Sequence, residues 1–228
     1  FRRSRGLGDV YKRQINMDIY NIFPTPVHVF KSEFDFKKII SDLEEEDYIN
    51  VNQAQPEHPE RVWQTRHDLH KDPRFKEITN FFEDCVEQYR AHYEYECEKL
   101  DISIMWANLS PGFKAGKHEI HHHPMSYVSG IFYLTDGSPT MFCDPVDKRR
   151  EGMIKLYSVD PQKTPEQWGM IPEAGKLLLF PSWLKHGTLN HVQEFSRWSI
   201  SFNCIPIGPC NAASSQAKLA TWNLYQAE

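Results

Sequence analysis

From residue 102 onward the chain is a train of short β-type runs, at 102–109, 127–135, 140–143, 153–159, 176–180 and 197–205. Pro111-Gly112, Asp136-Gly137-Ser138-Pro139, Asp144-Pro145 and the stretch 172–175 punctuate them, with residues that fix φ, permit positive φ or bond locally to the backbone. Short strands in series cannot cover their own apolar faces, so they pack on one another as an antiparallel barrel or sandwich. The region before them reads differently. Residues 35–45 suit a short helix, and over 73–98 Phe75, Ile78, Phe82, Cys85, Val86 and Tyr89 recur at helical spacing. Asp72 can cap that helix and Pro73 suits its first turn. Residues 19–30 read as an edge strand or entry arm, because Pro24 and Pro26 interrupt an extended apolar run. The expected fold is mainly β with flanking helices.

At 228 residues and 40% hydrophobic content the chain can bury a core. A single domain is expected over 17–228. Residues 1–16, arginine-rich and without periodicity, are set aside as a non-native leader upstream of Met17. A net charge of −5 and the lack of a basic stripe with interleaved aromatics argue against a nucleic-acid binder. Lys148-Arg149-Arg150 is a short solvated corner or a set of cations facing a substrate. No apolar run has membrane-spanning length, so no membrane partner is expected. The five cysteines have neither zinc-ribbon spacing nor the density of a disulfide scaffold. They read as reduced thiols, which makes the expected location cytoplasmic. The expected partner is a small-molecule or peptide substrate.

The chemistry-bearing residues are His121-His122-His123, a lone His186 after the apolar run Leu177 to Phe180, and Arg197. If the histidine run is extended, alternation puts His121 and His123 on one face and His122 on the other. A third imidazole from far downstream would complete a site suited to iron or zinc with positions left open. The same run also fits a solvated surface loop. In the last strand Arg197, Ser199, Ser201 and Asn203 share one face, and Trp198, Ile200 and Phe202 share the other. Such a split suits any half-exposed strand, or one whose polar face lines an internal pocket. In the second case Arg197 with Ser199 is suited to clamping a carboxylate.

An ordered set of motifs extends this reading: Trp106-x-Asn108, Pro111-Gly112, His121-x-His123-Pro124, Ser126 through Leu134, Phe142-x-Asp144-Pro145, Phe180-Pro181-Ser182-Trp183-Leu184-x-His186, and Arg197-x-Ser199-Ile200-Ser201-Phe202-Asn203. Together with Phe23-Pro24-Thr25-Pro26-Val27, the set resembles the 2-oxoglutarate and iron(II)-dependent oxygenases of the double-stranded β-helix superfamily, in the branch related to prolyl hydroxylases. The resemblance covers 17–207. It implies a jelly-roll core in which His121, His123 and His186 hold Fe(II) and act in catalysis. Arg197, with Ser199, would hold the distal carboxylate of the co-substrate 2-oxoglutarate. The implied activity is dioxygenase hydroxylation of a substrate with decarboxylation of 2-oxoglutarate to succinate. Tyr133 and Asn108 are candidates to line the co-substrate pocket, or satisfied polar residues of the core.

One position departs from the superfamily pattern, in which a carboxylate usually accompanies two histidines. Here that position is His123. Asp144 could supply a carboxylate, although Asp-Pro is also a standard turn opening, the reading favoured here. His118, His122 and His191 could replace a ligand if the register slips. His67 and His70 read as surface or capping residues, and 144–175 as a lid or a tolerated insertion. The competing functions are a three-histidine zinc hydrolase or lyase and a non-catalytic metal-binding β-barrel.

Overall fold

The computed structural model describes residues 24–51, 62–112, 116–146 and 167–210. Its strands are β1 His28–Lys31, β2 Ile49–Asn50, β3 Trp63–Gln64, β4 Lys99–Ser110, β5 Val128–Tyr133, β6 Thr140–Cys143, β7 Gln167–Met170, β8 Lys176–Pro181, β9 His186–Thr188 and β10 Arg197–Ile207. Two α-helices, α1 Phe36–Glu44 and α2 Lys76–His92, precede the long strands. The strands form a larger sheet in the order β1-β8-β5-β10-β4-β3-β2 and a smaller one in the order β7-β6-β9. Every pairing between them is antiparallel. Mainly β, with helices on the outside of the larger sheet, this is the jelly-roll architecture expected.

Alternation along β10 decides what lies on each side of the larger sheet. Trp198, Ile200, Phe202 and Cys204 join the core under the helices, with Ile78, Phe82, Cys85, Val86 and Tyr89 of α2. Arg197, Ser199, Ser201 and Asn203 are equally buried but point the other way. β8 is apolar on both faces: Leu177 and Leu179 meet the helical side, and Leu178 and Phe180 the inner cluster with Ile131, Tyr133 and Phe142. A strand covered on both sides reads as a continuous apolar run, which is why 177–180 shows no alternation. Along β4 the helix-facing positions change parity, from Leu100 and Ile102 to Met105 and Ala107. A bulge opposite Asn203 and Cys204 inserts the extra residue.

Of the segment 19–30, residues 19–23 lie outside the described residues, Pro24 and Pro26 precede the strand, and β1 is an edge strand that pairs with β8, as expected. Helix α1 starts where Asp35 accepts a hydrogen bond from the Lys38 N–H. Asp72 likewise accepts from the Arg74 N–H, but Pro73–Phe75 is a 3-10 turn and the α-helix begins at Lys76. That helix stops at His92 rather than running to residue 98. Glu94 takes a positive φ of 52°, and Tyr95 and Glu94 return hydrogen bonds to the Arg90 and Ala91 carbonyls. A left-handed residue with these two bonds is a helix stop, normally marked by glycine, so the sequence hides it. The segment 144–175 is not one loop either, since β7 lies within it and pairs with β6. The expected strand at 153–159, the Lys148-Arg149-Arg150 corner and the leader 1–16 lie outside the described residues.

Gly130 on β5 faces Phe202 across the strand pair. A Cβ there would stand 2.2 Å from the ring, and Phe202 is stacked on Phe82 at 4.7 Å with no room to yield. Gly130→Ala is therefore expected to cost roughly 1–3 kcal/mol of stability, read as a lower denaturant midpoint. An unchanged midpoint would contradict this packing.

Candidate metal centre

The histidines are brought together by backbone pairing. His121 and His186 exchange N–H to carbonyl hydrogen bonds, both 2.9 Å, and the His123 N–H donates to the Ser182 carbonyl at 3.0 Å. Gly187 lets the partner segment lie close, since a Cβ there would meet the His118 carbonyl oxygen at 2.6 Å. His186 does not trail from the end of β8 as the sequence suggested. It opens β9, on the smaller sheet, after a turn over 182–185.

The three rings lie with centroids 4.6 Å apart for His121 and His186, 5.0 Å for His121 and His123, and 5.1 Å for His123 and His186. One ligand nitrogen from each falls within 4.8 Å of the others. Among the described residues no carboxylate joins this group. Asp144 instead accepts from the Val146 N–H at 2.9 Å, the turn role favoured from sequence. His122 is exposed, as alternation predicts. His191 is 2% exposed and commits Nε2 to the Phe195 carbonyl at 2.6 Å.

Two tautomers are fixed by the backbone. The His121 Nδ1 donates to the Glu119 carbonyl at 2.7 Å and the His186 Nδ1 to the Leu184 carbonyl at 2.9 Å. A ring that donates through Nδ1 presents its Nε2 lone pair to an ion. Burial pushes His123 down to about 3 and His186 down to about 4, with neighbouring imidazoles adding to the effect. Both are therefore neutral near pH 7, the state a metal requires. The unfolded imidazoles titrate near 6.5, so the unfolded chain takes up protons first as pH falls. The stability these groups confer is complete above about 6.5 and is lost as pH falls through about 4 toward about 3. A pH series of urea midpoints on metal-free protein is expected to fall through that window. A flat series would contradict it.

His121, His123 and His186 share a cavity with Arg197, Ser199 and Asn108. Its walls come from both sheets, with His186 and Thr188 from β9 and Thr140 from β6 facing Trp106, Asn108, Ile131 and Arg197 of the larger sheet. Arg197 is 3% exposed. Its guanidinium makes one long contact, 3.5 Å to Ser199 Oγ, and rests 5.5 Å from the Tyr133 ring centroid. Its Nε is buried with no hydrogen-bond partner, and no acidic side chain pairs with it among the described residues. A buried cation without a counter-charge costs several kcal/mol (about 3–5). Such a group signals an anionic ligand.

Asn108 lines the cavity, yet it is firmly tied. Its Oδ1 accepts from Gln64 Nε2 at 2.9 Å and Trp106 Nε1 at 3.1 Å, while Nδ2 donates to Ser201 Oγ at 3.0 Å. Tyr133 sits behind Arg197, with its hydroxyl bonded to Thr140 Oγ1 at 2.6 Å. It supports the guanidinium and is not among the residues lining the cavity. Sequence reasoning missed Gln64, Thr140 and Thr188 in the lining, and His118 entered only as a substitute ligand. His67 is exposed, as expected, but its ring lies 5.3 Å from Trp106, which in turn faces His123 at 5.9 Å. His70 is partly buried, with an unpartnered Nδ1, and is not a cap.

Comparison with solved structures shows a shared fold. It is similar to a Pseudomonas putida prolyl-4-hydroxylase at 15% identity, covering 79% of this chain and 92% of that one, with a TM-score of 0.54. The epimerase SnoN in complex with Fe3+, alpha ketoglutarate and nogalamycin RO matches at 10% identity, 80% and 79% coverage and a TM-score of 0.58. The carbocyclase SnoK from nogalamycin biosynthesis matches at 8% identity, 86% and 87% coverage and 0.59. Residues 104–203 match the family described as “Putative 2OG-Fe(II) oxygenase”, in line with the resemblance carried by the motifs. A search of curated proteins finds no match. No helix among the described residues is long and apolar enough to cross a membrane.

Proposed function

We propose that this protein is an Fe(II)- and 2-oxoglutarate-dependent dioxygenase that hydroxylates a small-molecule or peptide substrate, with decarboxylation of 2-oxoglutarate to succinate. One observation carries the reading: a convergent trio of imidazoles lines the same cavity as a buried guanidinium that no acidic side chain pairs among the described residues. Iron(II) and 2-oxoglutarate are the cofactor and co-substrate for which the matched family is named. The donor set fits. Three imidazoles would hold the ion and leave positions open, and Arg197, without an acidic partner among the described residues, asks for a carboxylate.

His121 and His186 would ligate through Nε2, because Nδ1 of each is held by a backbone carbonyl. When bound, iron(II) with 2-oxoglutarate supplies the oxidising power that protein side chains lack. Arg197 neutralises and orients the distal carboxylate through charge-assisted hydrogen bonds, with the Ser199 hydroxyl beside it. Tyr133, anchored on Thr140, keeps the guanidinium in place. The amide of Asn108, tied to β3 and β10, holds the opposite wall still, so the ligand meets a preformed pocket. Ile131, Leu178, Phe180 and Phe142 form a dry layer between the sheets and restrict water. Cys85, Cys97, Cys204 and Cys210 form no disulfide, which supports a cytoplasmic setting.

The zinc hydrolase alternative uses the same imidazoles but leaves Arg197 without work. Incubation with iron(II), oxygen and 2-oxoglutarate is expected to release succinate, which zinc in place of iron does not support. Hydrolytic activity with zinc alone and no succinate with iron would overturn the reading.

A further inference from the structure

His118 is the cavity residue that the proposed reaction leaves unused. Regular alternation would turn it away from the metal face, since it stands an odd number of residues before His121. The pairing shows why it does not turn away. His121 is matched with His186 on β9, whereas the His118 carbonyl accepts from the Thr188 N–H at 3.0 Å and the His118 N–H donates to Thr188 Oγ1 at 2.9 Å. Three steps along one segment answer two along the other, so an extra residue is accommodated at 119–120 and the side-chain parity reverses. His118 thus lines the cavity with His121, its ring centroid 6.3 Å away.

The backbone of His118 is held while its ring is uncommitted. Both backbone polar groups are locked to Thr188, while neither ring nitrogen makes a hydrogen bond among the described residues. Across the same cavity Arg197 is buried with an orphaned Nε. The group of nitrogens close enough to share an ion consists of His121, His123 and His186, without His118. A donor without a protein acceptor among the described residues, in a cavity also lined by the buried guanidinium of Arg197, fits the site of an anion.

We infer that His118 binds 2-oxoglutarate together with Arg197, a ring N–H of His118 donating to the carboxylate that the guanidinium holds. The inference rests on the proposed function and deepens it, because it assigns the clamp a second donor from the metal-bearing segment.

The test is calorimetric binding to the full chain loaded with manganese(II), using 2-oxoglutarate and 2-oxobutyrate, a 2-oxo acid that lacks the distal carboxylate. His118→Leu is expected to weaken 2-oxoglutarate binding about tenfold to a hundredfold, the loss of one hydrogen bond to a charged group. It should leave 2-oxobutyrate affinity and manganese stoichiometry unchanged. His118→Gln, which restores an N–H donor, is expected to recover part of the loss. If the leucine variant does not fold, His118→Asn, with a shorter reach, carries the same expectation. Wild-type affinity for 2-oxoglutarate in the variant overturns the inference and leaves the proposed function standing. Equal losses for both acids, or loss of manganese, overturn it by placing His118 at the metal. Wild-type protein that binds neither acid overturns the proposed function itself.

Discussion

Arg197→Met is expected to make the ligand-free protein more stable while weakening 2-oxoglutarate binding by roughly 30-fold to several thousandfold. The two effects have one cause. Arg197 is 3% exposed, and among the described residues its Nε has no partner and its only side-chain hydrogen bond is the long contact to Ser199. Burying that charge opposes folding, and an apolar side chain of similar length removes the penalty while filling the space beside Tyr133 and Gly137. With the co-substrate bound, the sign reverses, because the carboxylate loses its buried partner at a cost of about 2–5 kcal/mol. Urea midpoints without ligand and calorimetry with it measure the two halves separately. A variant that is less stable when empty, or that binds 2-oxoglutarate as wild type does, contradicts the clamp.

The second large effect concerns the metal. His186→Ala removes an imidazole that is 3% exposed, fixed through Nδ1 to the Leu184 carbonyl and paired along the backbone with His121. Two neutral ligands remain, so iron(II) affinity is expected to fall by more than about 100-fold, beyond what disturbing a ligand's hydrogen-bond partner costs. His123→Asp tests the unusual position directly. It restores the pattern of two histidines and one carboxylate and is expected to retain iron, whereas His123→Leu loses it. Metal stoichiometry after dialysis against iron(II) reads all three variants. Full occupancy in His186→Ala would remove that residue from the site.

Much of this was legible because period and chemistry agreed. The split of β10 into an apolar and a polar face was readable in sequence, since each strand residue turns its side chain through half a revolution. The pair His121 and His123 followed from the same rule, and Asp35 and Asp72 marked helix starts by their side chains. The failures occurred where structure is decided by distant partners. β2, β3 and β9 have only two or three residues and exist through pairing with neighbours, so no local pattern announces them. The stop of α2 at His92 rests on Glu94 in a conformation that favours glycine. The place of His118 depends on an irregular pairing with Thr188, which reverses the parity that sequence reasoning assumes. Of the two readings left open for Tyr133, the structure favours the satisfied core residue, since a strand's inward residue can support a cavity without touching it.

The central claim, that three imidazoles and Arg197 hold iron(II) and 2-oxoglutarate together, is tested most directly by an anaerobic titration. Iron(II)-loaded protein is mixed with 2-oxoglutarate while the visible spectrum is recorded. The account expects a charge-transfer band that saturates with added co-substrate, is absent with zinc, and is lost in Arg197→Ala at the same concentrations. A natively folded, iron-loaded protein that shows no band at saturating 2-oxoglutarate would contradict it.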